Sequence, residues 1–254
     1  MNFKKYLASV SYDGSSFYGF TKSIGKAYIQ EEIEKVLISI FKKEDVFNPN
    51  IKCASRTDAG VHAIGQLILF LLPDNAIPSF KLVNIINSRL TPFVKFNWII
   101  QVKEDFDLFS HILNKEYIYL LSRKPLSPFT ERYFFYYNHE IDLDKLRNVF
   151  KLFEGEHDFS IFSKESKRYK STICNLEVAD VQYLKEKELI VFYLKGNRFL
   201  YNMVRRLVGF ALLASKINKT PKEFEDYFSP PYSKLTTQKV PSNGLYLLRV
   251  NLIT

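Results

Sequence analysis

A chain of 254 residues can build one large domain or two small ones, and 46% hydrophobic content with 23 Phe and 16 Tyr makes it folded rather than disordered. The net charge of +9, spread over both halves, fits a polyanionic partner, and it equally fits the lysine- and asparagine-rich composition of an AT-rich genome. The longest apolar run, near residues 64–72, is about half of a bilayer span, the N-terminus lacks a signal-peptide core, and two cysteines, Cys53 and Cys174, argue against a disulfide scaffold and for a reducing cytoplasm.

In chain order, YLASVSY (6–12) alternates as a strand does and ends at the turn residues Asp13 and Gly14. Residues 29–43 place Ile29, Ile33, Val36, Leu37, Ile40 and Phe41 at helical spacing, with acids early and lysines late to complement the helix dipole. IKCAS (51–55) reads as a strand, and GQLILFLL (65–72) as a strand buried on both faces. A helix over 79–89 and a strand over 94–102 complete a β-α-β-β-α-β series. KEYIYLLS (115–122) opens a second series. It continues through a proline-marked loop, a helix from Asp142 to about Phe153 and two long strands joined by the charged turn KEKE. The helix over 198–214 follows, and a last strand lies in GLYLLRVNLI. Each half mixes strands with two helices, which favours an α+β architecture of two similar lobes over a doubly wound parallel fold.

Two segments carry chemistry. SRTDAGVHA (55–63) sets Arg56, Asp58 and His62 around a glycine against a strand. An Asp beside Ala-Gly is usually a turn former. An acid, a base and a cation clustered at a strand end are also a common active-site composition. The second segment is GNRFLYNMVRRLVG (196–209), in which the adjacent arginines 205 and 206 point about 100° apart on a helix. One can face solvent while the other turns inward, where a guanidinium needs a carboxylate, and Asp58 is a candidate. The four histidines and two cysteines show no metal-ligand spacing, and there is no glycine-rich phosphate loop.

RTDAGVHA followed by an apolar strand resembles the catalytic loop of the tRNA pseudouridine synthase A family. The resemblance extends over nearly the whole chain: YDGSSFYGF (12–20), KEYIYLL, GEHDFSIF (155–162), FLYNMVRRLVG and VPSNGLYL (240–247) follow in the family's order. It departs where the usual Trp-Gln is Phe20-Thr21, where a glycine before Arg56 is Ser55, and where His-Ala-Arg is Asp107-Leu108-Phe109, the last removing a cation that could touch RNA.

The resemblance implies two ferredoxin-like, RRM-like lobes forming a mixed, largely antiparallel central sheet flanked by helices, with the active-site cleft between them. Residues 1–104 would carry the catalytic Asp loop and 105–254 the Tyr and Arg. It implies isomerisation of uridine to pseudouridine at positions 38–40 of the tRNA anticodon stem-loop, in the cytoplasm, by a homodimer without cofactor, metal or membrane. Asp58 would be the nucleophile, on ribose or base, with Tyr117 stacking on the uracil and Arg205 holding Asp58. Arg56 is a candidate substrate contact, as are Lys164, Lys167, Arg168 and Lys170 in the basic segment SKESKRYKS (163–171). Two rivals stand beside this reading. A non-catalytic RNA-binding module explains the composition but not the Asp-Arg loop. A nucleoside hydrolase explains the acid, but lacks a second evident carboxylate.

Overall fold

The computed structural model describes residues 3–21, 25–41, 48–74, 77–164, 169–217 and 238–253. They form a mixed α+β protein with mostly antiparallel strands and, among the described residues, four α-helices. The chain divides into two compact units, residues 1–113 with 246–254, and residues 114–245.

The first unit runs β1 (Phe3–Tyr12), α1 (Ile29–Ile40), β2 (Lys52–Cys53), β3 (His62–Pro73), α2 (Ser79–Asn87) and β4 (Val94–Val102), the β-α-β-β-α-β order read from the sequence. β1 lies between β4 and β3 and is antiparallel to both. The far side of β3 takes β10 (Leu245–Leu252) in parallel register, Tyr246 opposite His62 and Leu247 opposite Ala63. β3 is a nearly unbroken apolar run because both of its faces are covered: Leu67, Ile68, Leu69, Phe70 and Leu72, on alternating faces, are all buried. In α1 the residues that reach the core are Ile29, Ile33 and Leu37, four apart on one face. Because its last strand returns from the end of the sequence, this unit is not one continuous stretch.

In the second unit the strand order is β5 (Ile112–Ser122), β9 (Leu189–Gly196), β8 (Ile173–Leu184), β7 (Gly155–Asp158), every neighbouring pair antiparallel. A short β6 (Phe135–Tyr136) runs parallel to β5. α3 (Leu143–Lys151), capped by the Asp142 carboxylate on the Lys145 N–H, packs on β8 and on α4 (Met203–Ala214). The core between them is aromatic: Phe150, Phe153, Phe159, Phe162, Phe192 and Phe210 are fully buried, and most meet edge to face. That accounts for much of the chain's phenylalanine.

α4 begins at Met203, not at residue 198. Asn202 sits in the left-handed region at φ 63°, which interrupts the helical run, and Phe199 therefore does not share a helical stripe with Met203 and Phe210. Farther along, Gly209 lets the chain cross α4 closely: a Cβ there would lie 1.9 Å from the Gln238 carbonyl oxygen.

Candidate active site

The SRTDAGVHA loop leaves β2 and enters β3, and the YDGSSFYGF segment wraps it. Tyr12 Oη and Thr57 Oγ1 are 2.7 Å apart, and Gln66 Nε2 donates to Tyr12 Oη at 3.3 Å. Gln66 also brackets Ser55, accepting from its N–H at 3.1 Å and donating to its carbonyl at 2.5 Å. Phe20 N–H donates to Thr57 O, Gly60 N–H to Phe17 O, and Gly19 makes a bridge with Asp58. Asp58 itself heads a tight turn: its carbonyl accepts the Val61 N–H at 3.1 Å, with Gly60 at φ 75°. Thr57 is buried, Asp58 half-buried and Arg56 exposed.

This packing explains the first motif's glycines. A Cβ at residue 14 would sit 1.9 Å from Val61 O, and one at Gly19, whose φ is 114°, 2.6 Å from Thr57 O. Gly14→Ala should therefore push the Asp58 turn out of place and cost at least about 1–3 kcal/mol of stability. Thermal melts and turnover should both report it.

His62 serves the loop from within β3. The Gly14 N–H donates to His62 Nδ1 at 3.1 Å, which makes that nitrogen an acceptor and leaves the proton of a neutral ring on Nε2. Asp13 Oδ1 lies 3.3 Å from the same nitrogen, but the direction of the backbone N–H decides the tautomer. The His62 ring stacks on Tyr246 at 4.6 Å. It is a packing residue of the turn.

In the second unit Tyr117 is buried on β5 with its ring edge to face on Phe199, 4.9 Å away. Arg205, only 7% exposed, lies in the first turn of α4. Its Nε donates to Val240 O at 2.7 Å, and its own carbonyl accepts the Val240 N–H at 3.3 Å. The same 238–244 segment is held by Tyr119, whose hydroxyl donates to Pro241 O at 2.9 Å. Burial raises the Tyr119 pKa against the opposing charge of Arg205, so the phenol stays protonated and donates. The VPSNG segment thus orients Arg205 through a backbone carbonyl. No sequence signal marks that role, since any residue supplies a carbonyl.

Of the basic segment, Lys164 and Lys170 are exposed, and Lys167 and Arg168 lie outside the described residues. Neighbouring Tyr169 accepts the Tyr201 N–H on its hydroxyl, and Arg198 lies over the Tyr169 ring. The loop is thereby fastened to the residues entering α4. Burial pushes the Cys174 thiol up to about 11, so it is no thiolate nucleophile at neutral pH. Among the described residues no group of His, Cys, Asp and Glu is arranged to hold a metal ion.

Residues 8–108 and 149–251 match the model of a family described as tRNA pseudouridine synthase. The chain belongs to that family. It is 35% identical to the tRNA pseudouridine synthase A of Listeria monocytogenes serotype 4b, over 97% of this chain and 98% of the relative. The synthases of that name from Phytoplasma mali and Thermosipho melanesiensis are 33% and 31% identical, over 96% and 97% of this chain and 97% and 99% of theirs.

The synthase is an isomerase that converts a tRNA uridine to pseudouridine. The reaction breaks the bond from ribose C1′ to uracil N1 and forms one from C1′ to C5, and the proton lost from C5 is balanced by one gained at N1. Neither water nor an electron acceptor is consumed. Its residues also explain two departures from the family pattern. Phe20 is fully buried beside the Tyr12 ring at 6.0 Å, so an aromatic still fills the usual Trp position. Ser55 has no positive φ and needs no glycine. At the third departure, Asp107 accepts the Ser110 N–H at 2.9 Å, a bond that holds its carboxyl below the usual range, while Leu108 is fully buried and Phe109 exposed. A turn cap and a core residue take the first two positions, and an exposed aromatic ring stands where the cation would be.

Proposed function

We propose that the synthase acts on uridines 38–40 of the anticodon stem-loop, with Asp58 as nucleophile from the first unit and Tyr117 and Arg205 from the second, in the cleft that the resemblance implies. The observation that carries this reading is the Asp58 turn itself. It is bonded to the YDGSSFYGF segment through its bridge to Gly19, through the preceding Thr57 and through Gly60 two residues on, and it is shaped by two glycines that tolerate no Cβ. A nucleophile needs such a fixed approach, because misplacement by 1 Å can cost on the order of a hundredfold in rate. An ordinary surface turn needs none of it.

In this reading Arg205 orients the carboxylate through a charge-assisted pair, and Tyr117 stacks on the extruded uracil. Arg56 and the basic segment holding Lys164, Lys167, Arg168 and Lys170 contact the RNA backbone. The enzyme works in the cytoplasm as a homodimer that lets two subunits embrace one tRNA. No nucleotide, metal or other cofactor takes part.

Release of tritium from C5-labelled uridine in tRNA, with products mapped by position, tests the reaction and its site together. Tritium release at 38–40 without free uracil supports the reading. Free uracil would instead indicate a hydrolase, and release elsewhere would refute the assigned positions. Tyr117→Phe should keep the stacking face, worth roughly 1–3 kcal/mol, whereas Tyr117→Leu should lose it. Single-turnover assays with the two variants separate the ring from the hydroxyl: equal behaviour of Phe and Leu would rule out stacking, and a Phe variant as active as wild type would relieve the hydroxyl of any part in removing the C5 proton.

A further inference from the structure

We propose that Tyr18 and Lys26 form a platform that binds an unpaired nucleotide flanking the target uridine, the ring stacking on its base and the ammonium meeting its phosphate. The proposal rests on the reading of Asp58 as the nucleophile only for the statement that the neighbouring nucleotide is the target.

Tyr18 lies inside the segment that wraps the Asp58 turn. Its neighbours Phe17 and Gly19 are buried and bonded to that turn, the first accepting the Gly60 N–H at 3.2 Å and the second bridging Asp58. Phe17 is extended, at φ −119° and ψ 148°, so successive side chains diverge: as Phe17 goes into the core, Tyr18 comes out. The Tyr18 residue is 53% exposed, yet its peptide is fixed, with its N–H donating to Ala27 O at 2.9 Å. That bond brings up Lys26, whose Nζ stands 4.2 Å from the ring centroid. Lys26 makes no ion pair among the described residues, so its charge is not committed to a carboxylate.

A lone exposed tyrosine is ordinary. A tyrosine held on the backbone of the catalytic turn with a cation at its ring is the composition that binds single-stranded nucleic acid, by stacking plus phosphate attraction. The reaction also creates a need for it. Extruding a uridine strips a stacking face from each neighbouring base, at a cost of a few kcal/mol. A ring anchored beside the reacting carboxylate can replace one of those faces.

The test is a binding cycle on a tRNA transcript whose modified uridine has been mapped, compared with two transcripts carrying an abasic nucleotide 5′ or 3′ of that uridine. Dissociation constants are measured at fixed salt for wild type, Tyr18→Ala, Tyr18→Phe and Lys26→Gln. Because both side chains are exposed, the variants should melt like wild type. On the intact transcript Tyr18→Ala should weaken binding roughly five- to a hundredfold, and Tyr18→Phe should stay within about twofold. Lys26→Gln should lower the salt dependence of binding by about one phosphate contact. On one of the two abasic transcripts the Tyr18→Ala penalty should vanish, because ring and base are then partners in one interaction. An equal penalty on all three transcripts, or none on the intact one, overturns the platform. The cycle requires no turnover, so its failure is distinct from a failure of Asp58 as nucleophile, which is read from tritium release by Asp58→Asn.

Discussion

Asp58→Asn is expected to abolish tritium release while leaving the melting temperature and tRNA affinity close to wild type. The amide has the shape of the carboxylate, and the turn that positions residue 58 is made by backbone groups, Asp58 O to Val61 N–H and the bridge to Gly19, which the substitution does not touch. What it removes is the oxygen proposed to act as nucleophile. Losing a covalent catalyst should cost at least about a thousandfold. Residual turnover within about tenfold of wild type would remove Asp58 from that role. A collapse of stability would show instead that the carboxylate is a structural part of the turn.

Arg205→Lys should be severely impaired although the charge is kept, whereas Arg206→Lys should be mild. Arg205 is buried, and its Nε donates to Val240 O, an anchor that an ammonium on a flexible stem cannot supply while also reaching a carboxylate. A hydrogen bond from a charged donor is worth about 1.5–3 kcal/mol, or ten- to more than a hundredfold in rate if all of it serves positioning. Arg206, next along the helix, is half-buried and lies about 100° away around α4. The decisive measurement is single-turnover rate with tRNA affinity alongside. A slow Arg205→Lys that binds normally fits orientation of the nucleophile. If the Arg206 variant is the crippled one, the inward-facing guanidinium has been assigned one residue too early.

Most elements could be read from the sequence because one force decides them. The sequence bounds β4 at its observed residues, 94–102, since its apolar positions alternate and Pro92 precedes it while Lys103 and Glu104 follow. α4 was read five residues too long, because apolar spacing continues through Phe199 and Leu200 and nothing in it announces that Asn202 takes a left-handed conformation. The site divides the same way. Asp58 and Arg205 are marked by the family resemblance, since type and spacing alone leave Asp58 readable as a turn former and do not choose between Arg205 and Arg206. Several of the groups that hold them are backbone atoms, the Val240 carbonyl for Arg205 and the Thr57 carbonyl in the Asp58 loop, and these are invisible to residue type. Tyr18 gave no signal either, because its prominence comes from what its neighbours bury.

The parallel pairing of β10 with β3, and the Tyr246 ring on His62, draw the support of the Asp58 turn from a strand made long after it. During translation the ribosome must first deliver all of residues 114–245, the whole of the second unit. At about 5–20 residues per second this takes roughly 7–26 s. Over that interval the nascent enzyme holds its SRTDAG loop but not the strand that braces it. A chain broken off by a premature stop before Tyr246 therefore carries every candidate catalytic residue, Asp58, Tyr117 and Arg205, without the last support of the turn. Such fragments should be poor synthases.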